Sequence, residues 1–483
     1  MKQIKTTYLL IAILLGSLAS CMKDGDDTTT LYDDSAITSF TRGTVNRYVD
    51  GVKSTFTGSS YLFHVDQVTR TIYNTDSLPV GSDVEHIICA VTTYNNGSPF
   101  LVSTDGTYMT YHSSSDSVDF TTPRTFRVMA SSGNGYTDYT VKVNVHKEDP
   151  NAFVWKKVAD IPVMTGLRAL SFNDRIYVFG NEGGTTKAYY TEDGNTWNPA
   201  TLPALTDADA WKNAVANEDS VYIMNGSTVY RSGDVNTWTV DEAVFPEGNV
   251  LQQLIGASST EIYAIDTEGR LTTKYCDNEL SFWVLATSET QSSFDALPSQ
   301  DYSIVSYPLN LSDSTDYVLM AGNKKTGDEW SSHLWRRIVD YSDTGITSLF
   351  IEYLKTLIEG KDDYTEWIRK WTYLDRADDH RYEMPALENI QILWYDDVLL
   401  AFGGKGLNDT TIEPLKNIYK SRDNGITWKQ EASYTMPPTD GNATFNSAAT
   451  SFSATVNKGA IWIVCAGTGE VWRGQLNRVA WGE

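Results

Sequence analysis

Four cysteines and six histidines in 483 residues leave little material for several common chemistries. The cysteines, Cys21, Cys89, Cys276 and Cys465, are widely spaced and form no Cys-x-x-Cys pair, so neither a disulfide framework nor a structural zinc site is implied. The histidines, His64, His86, His112, His146, His333 and His380, show no His-x-His or His-Glu-x-x-His spacing, so no metal and no cofactor is expected. Basic residues are also scarce: 38 Lys and Arg stand against 62 Asp and Glu, a net charge of −24. Nucleic acid is therefore not an expected partner. The apolar run at the amino terminus, Tyr8 to Leu15, is far shorter than the ~20 residues that cross a bilayer.

That short run has a different meaning. Lys2 and Lys5 precede it, and Gly16-Ser17-Leu18-Ala19-Ser20-Cys21 follows, which is the order of a signal peptide: charged start, apolar core, small-residue exit. Leu18-Ala19-Ser20-Cys21 resembles the bacterial lipobox, which implies cleavage after residue 20 and lipidation of Cys21. Removing residues 1–20 deletes two lysines and no acid, so the mature charge becomes about −26. Residues 21–33, rich in Asp and Thr, read as an acidic tether. Lys23 followed by Asp24, Asp26 and Asp27 resembles the export signal of Bacteroidota-type surface lipoproteins. The resemblance implies a lipid anchor in the outer membrane and exposure at the cell surface.

The rest of the chain reads as all-β, in two parts. From 34 to 148, short runs of alternating polarity are separated by Gly, Asn, Asp and Ser. Arg124–Ala130 and Asp138–Val145 flank the turn Ser131–Gly135 as a hairpin. A small β-sandwich is the expected packing, and it resembles the immunoglobulin-like spacer modules of those lipoproteins. From 152 to 483 an apolar strand recurs six times, at Arg175–Gly180, Ser220–Gly226, Glu261–Asp266, Asp316–Gly322, Asp397–Gly403 and Ala460–Gly467. In step with it, Trp155, Trp197, Trp238 and Trp283 stand 42, 41 and 45 residues apart, the length of a four-stranded propeller blade. Six blades are expected, with the strand at Trp155 completing the last one and so leaving no open edge. Trp371 comes 88 residues after Trp283, so an inserted segment, with helix-like apolar spacing at Leu349–Ile358, is expected within 337–370.

The turn Ser421-Arg422-Asp423-Asn424-Gly425-Ile426-Thr427-Trp428 resembles the Asp-box of sialidase-like propellers, Ser-x-Asp-x-Gly-x-Thr-Trp. Degraded copies are read at Glu192, Gly194, Thr196 and Trp197 and at Ser232, Asp234 and Trp238. The carboxylate caps backbone N–H groups, the glycine takes positive φ, and the tryptophan packs between blades, so the motif is structural. The glycine-bearing strands also look kelch-like. The resemblance does not extend to catalysis. Asp160-Ile161-Pro162 stands where sialidases carry Arg-Ile-Pro, and no arginine triad can be assembled. No catalytic residue is assigned.

A propeller gathers the connectors between blades at one end of its channel, and ligands are expected there. The residues read as facing that end are Arg168, Trp211, Lys212, Asp378, His380, Tyr382 and Tyr434. Aromatic rings beside charged groups suit sugars. The leading expectation is a non-catalytic surface lipoprotein with a ligand-recognition face for glycans. A glycan-active hydrolase or lyase using carboxylates of that face, and a protein-interaction subunit of an outer-membrane assembly, are the alternatives. The overall organisation resembles a Bacteroidota lipoprotein family of unknown function.

Overall fold

The computed structural model describes residues 30–49, 51–242, 250–276, 281–286, 291–309, 314–340, 370–374, 382–438 and 451–480. Among these, helix is confined to short 3-10 turns and the single turn Asn477–Ala480; the rest of the regular structure is strand. The chain divides into two compact units that meet between Asp149 and Pro150.

In the first unit a six-stranded sheet runs in the order Phe63–Asp66, Thr71–Asn74, Tyr136–Lys142, Arg124–Met129, Ser98–Val102, Met109–Tyr111. A three-stranded sheet runs in the order Ile37–Arg42, Ile87–Thr93, Ser117–Val118. Ile37, Phe40 and Cys89 of the smaller sheet meet Ile72, Phe126, Val128, Tyr139 and Val141 of the larger in one buried core, which makes a two-layer sandwich. The hairpin at Ser131–Gly135 forms, but its second strand leaves the sheet after Lys142. There the Asn74 side chain accepts the Asn144 N–H at 2.6 Å and the Asn144 carbonyl accepts the Leu78 N–H at 2.8 Å, drawing the chain off the ladder. The acidic lead-in is tied down before residue 33: Tyr32 exchanges hydrogen bonds with Ser131 and Ser132, and Asn134 donates to Asp33. Cys89 here and Cys465 in the second unit are buried thiols, and burial pushes each up to about 12.

The second unit is a β-propeller of six antiparallel four-stranded sheets. From the inner strand outward, blade 1 is Leu167–Phe172, Arg175–Glu182, Thr185–Thr191 and Asn198–Pro199. Blade 2 is Ala214–Ala216, Val221–Asn225, Thr228–Ser232 and Thr239–Val240. Blade 3 is Leu251–Ala257, Glu261–Asp266, Leu271–Cys276 and Ser281–Leu285. Blade 4 is Gln300–Pro308, Thr315–Thr326, Glu329–Asp340 and Thr372–Tyr373. Blade 5 is Gln391–Tyr395, Val398–Phe402, Tyr419–Ser421 and Lys429–Gln430. Blade 6 is Ser451–Asn457, Ala460–Ala466 and Val471–Leu476, with Phe153–Lys157 as its outermost strand.

Each recurrent apolar run lies in a blade's second strand. These strands are flanked within the sheet and covered by neighbouring blades, so Glu261–Asp266 and Ala460–Ala466 are buried along their whole length. The recurrent tryptophans open or occupy the outermost strands. In blade 4 the third strand runs on through Arg337 to Asp340, with Arg337 paired to Val318. The extra segment therefore starts later than residue 337, between the third and fourth strands of that blade. The helix expected at Leu349–Ile358 lies outside the described residues.

Candidate functional site

In such a blade the turns joining strands one to two and three to four fall at one end of the propeller. The two-to-three hairpins and the blade connectors fall at the other. The Asp-box occupies the first end. In blade 5, Asp423 Oδ1 accepts the Thr427 N–H at 2.8 Å and the Ser421 hydroxyl at 2.8 Å, and its Oδ2 accepts the Thr427 hydroxyl at 2.6 Å. Gly425 sits at φ 90°, and a Cβ there would meet Leu319 of blade 4 at 2.8 Å. Gly194 stands likewise against Trp462 of blade 6. In blades 5 and 1 the box glycine thus lets the blade close against the one before it. Trp428 donates back to the Gly425 carbonyl at 2.9 Å, whereas Trp197, Trp238 and Trp155 donate to Ala159, Thr201 and Thr435, carbonyls in the connector from the preceding blade.

The blade 1 copy departs from the sequence reading. Thr191 takes the place of the box serine, its hydroxyl accepting the Gly194 N–H at 2.8 Å, and Asp193 accepts the Asn195 N–H at 2.9 Å. Glu192 instead faces Arg175, at 2.7 Å, and Thr196 is exposed. This turn is one residue tighter, so aligning it on the tryptophan put the wrong acid in the capping position. In blade 2, Ser232 and Asp234 bond each other at 3.0 Å, Asp234 caps Asn236 and Thr237, and Val235 takes the left-handed place at φ 57°.

These caps predict an acid response. Hydrogen bonds from the Thr237 and Asn236 N–H groups hold Asp234 down to about 2, and the hydrogen bond from Lys420 at 2.6 Å, then Ser433, holds Glu431 down to about 2. Ordinary values are near 4, so both contribute stability above about pH 4 that is lost as pH falls through about 2. Melting temperature should hold from about pH 7 to 5 and fall between about pH 4 and 2. The variant Asp234→Asn/Glu431→Gln should fall less steeply across that window. An unchanged slope would reject these two groups as contributors.

Around the channel, side chains on the inner strands or just before them bond the backbone of the following blade. Ser303 accepts the Ile392 N–H at 2.9 Å, Gln391 that of Ala454 at 3.1 Å, Ser453 that of Ala169 at 3.0 Å, and Asn213 that of Leu254 at 3.0 Å. Arg168, on the inner strand of blade 1, is half-buried. It donates to the Lys212 carbonyl at 2.8 Å and, past the small Ala214–Ala216 strand, to the Ile255 carbonyl of blade 3 at 2.9 Å. Burial lowers it to about 10, which leaves it charged at neutral pH. Among the described residues it has no carboxylate partner, and two of its five N–H groups serve these bonds.

Trp211 and Lys212 lie in the 3-10 turn Ala210–Asn213 that enters blade 2. The Trp211 ring is packed so closely on Gly166 that a Cβ there would meet it at 2.5 Å. Lys212 is exposed, lies 5.5 Å from the Trp211 ring, and pairs with Asp209 at 2.8 Å, holding that carboxyl below its ordinary range. Arg168, Trp211 and Lys212 therefore converge at one mouth of the channel.

The other expected face residues do not join them. Tyr434 is buried at the seam of blades 5 and 6, its hydroxyl donating to Asp396 at 3.0 Å and its ring packed on Phe153 at 5.8 Å. Tyr382 is exposed at the outer edge of blade 5, where its carbonyl accepts the Trp428 N–H at 2.8 Å and Lys429 lies 4.2 Å from its ring. Both are aromatics near a blade junction, a position that sequence cannot divide into seam, rim and mouth. Cys21, Asp378 and His380 lie outside the described residues. Among the described residues no cluster of three or more His, Cys, Asp or Glu is placed to hold a metal ion, and no helix is long and apolar enough to cross a membrane.

Two recesses stand out among the described residues. One, of about 170 Å³, lies at the connector end between blades 4 and 5, lined by Trp330, Met384, Pro385, Asn408 and Asp409 among others. The second, of about 520 Å³, lies at the Asp-box end between blades 6, 1 and 2. The sequence reading had no candidate there.

A family model for the DUF6242 beta propeller domain matches residues 149–483, and one for the DUF6242 N-terminal domain matches residues 40–143. The chain belongs to the DUF6242 family. Solved structures similar to this DUF6242 protein are of low identity. YCF48 from Cyanidioschyzon merolae is 12% identical, covering 66% of this chain and 98% of its own, with a TM-score of 0.30. The Cps50 (Swd1) beta-propeller domain of Myceliophteria thermophila is 9% identical, covering 65% and 98%, with a TM-score of 0.32. An endo-arabinase from Bacteroides thetaiotaomicron VPI-5482 is 11% identical, covering 60% and 100%, with a TM-score of 0.29. No curated protein matches the DUF6242 chain. Its propeller fold suits a binding or scaffold role.

Proposed function

We propose that this chain is a lipid-anchored recognition protein of the outer membrane, held by Cys21 at the cell surface, with the amino-terminal sandwich as an immunoglobulin-like spacer and the propeller as the binding unit. Its ligand is a glycan taken at the channel mouth, and the protein does not catalyse. The observation that carries this reading is the convergence of Arg168, Trp211 and Lys212 from two blades: a charged guanidinium bonded to the Lys212 carbonyl, and an indole with the Lys212 ammonium 5.5 Å from its ring. Sugar rings stack on such faces while their oxygens accept directed hydrogen bonds.

A glycan array probed with residues 22–483, beside Arg168→Met and Trp211→Ala, tests it. Affinity for the bound glycan should fall at least about tenfold in each variant, the loss of roughly one or two good contacts. No binding across the array, or equal binding by both variants, rejects the channel mouth as the site. For the anchor, Cys21→Ser should move the protein from the membrane to the soluble fraction. Retention of that variant in the membrane would sink the lipid assignment.

A further inference from the structure

The recess at the Asp-box end is built from turns of three blades. Asn173 and Asp174 form the first turn of blade 1, Glu192 its outer turn, Asp234 belongs to the outer turn of blade 2, and Lys458 to the first turn of blade 6. Its volume of about 520 Å³ is that of a small-ligand site. Much of its wall is fixed in advance. Arg175 is gripped by Glu192 at 2.9 and 2.7 Å and lies 5.0 Å over the Tyr190 ring. The Asn173 amide donates to the Gly233 carbonyl at 3.4 Å, tying blade 1 to blade 2. The Asp234 carboxylate is consumed within its own turn by the N–H groups of Asn236 and Thr237.

Two groups on that wall have no hydrogen-bond or ion-pair partner among the described residues: the Asp174 carboxylate and the Lys458 ammonium. They stand on neighbouring blades, each in a left-handed position, at φ 60° and 44°. One accepts and the other donates. The ionisable groups of the recess, Asp174, Glu192 and Asp234 against Arg175 and Lys458, nearly cancel, so a ligand with strong charge of either sign meets a like charge. The polar wall equally disfavours an apolar ligand. A neutral molecule rich in hydroxyls satisfies both free groups at once, since a hydroxyl donates to carboxylate and accepts from ammonium.

We infer that this recess is a second binding site, for one or two neutral sugar rings, and that Asp174 and Lys458 are its contacting groups. It is independent of the channel mouth, at the opposite end of the propeller.

The test uses the chain from residue 22 and a panel of neutral di- to tetrasaccharides of glucose, galactose, mannose, xylose and arabinose, read by saturation-transfer NMR and calorimetry. Asp174→Asn and Lys458→Gly are the variants, because both replacements accept left-handed backbone and leave the turns intact. At least one sugar should bind, with affinity reduced at least fivefold in each variant while the melting temperature stays within about 2 °C. Absence of binding across the panel overturns the inference, as does binding equal in both variants. Binding abolished by Arg168→Met but kept by Asp174→Asn and Lys458→Gly belongs to the channel mouth and also overturns it.

Discussion

Replacing Arg337 with methionine is expected to destabilise the propeller by about 3–5 kcal/mol, the cost of leaving one partner of a buried ion pair without the other. Arg337, on the third strand of blade 4, donates from Nε and Nη2 to the two oxygens of Glu261 on the second strand of blade 3, each at 2.9 Å. Both side chains are out of water, 1% and 5% exposed. The Tyr263 hydroxyl also donates to Glu261 at 2.9 Å, and burial with the Glu261 charge raises that phenol far above its usual range. Without Arg337 a single hydroxyl would face a buried carboxylate, which takes up a proton or draws water into the seam. Urea denaturation should show the loss. The double variant Arg337→Met/Glu261→Leu should recover most of it, because a well-packed apolar pair replaces two desolvated charges. A single-variant loss below about 1 kcal/mol would mean that the seam tolerates the unpaired carboxylate.

The same device recurs one seam earlier. Lys274 of blade 3 reaches Asp241, just past the outer strand of blade 2, at 2.7 Å, with 1% and 7% of the side chains exposed, and lies 4.6 Å from the Tyr222 ring. Neither pair was legible beforehand. Glu261 and Arg337 are 76 residues apart; one reads locally as the polar start of an apolar strand and the other as a cation within one. What was legible was periodic: six apolar runs, in step with tryptophans 42, 41 and 45 residues apart from Trp155 to Trp283, fix blade number because each blade repeats one local packing problem. Residues whose role depends on a partner in another blade carry no such period. Arg168 was read as facing the channel end, but its bonds to Lys212 and Ile255 come from register across three blades. Tyr434 was misplaced for the same reason: its phenol is claimed by Asp396, in a turn 38 residues earlier. The Asp-box end was read as purely structural because its acids cap turns. Yet Asp174 and Lys458, which cap nothing, sit between them.

Ring closure has the other large expected effect. Phe153–Lys157 pairs with Val471–Leu476 through five residue pairs, from Phe153 with Leu476 to Lys157 with Trp472. Around that ladder the Trp155 indole donates to the Thr435 carbonyl at 2.6 Å, Phe153 packs on Tyr395 and Tyr434, and the Arg478 and Asn477 N–H groups donate to the carbonyls of Pro150 and Ala152. Five residues of chain that precede blade 1 thus finish blade 6. A protein begun at residue 158 would keep every blade's inner strands yet lose two half-buried aromatics and a five-pair ladder, and expose the edge of Val471–Leu476. The loss is comparable with the whole stability of a typical domain, about 5–15 kcal/mol. Expressed from residue 150, the propeller should melt in one cooperative transition. Expressed from residue 158, it should aggregate or unfold at far lower urea. The two should separate most clearly in size-exclusion chromatography, since the uncovered strand is a template for pairing with another chain. Equal stability of the two would mean that blade 6 holds with three strands and that the closing strand serves only to lead in from the first unit.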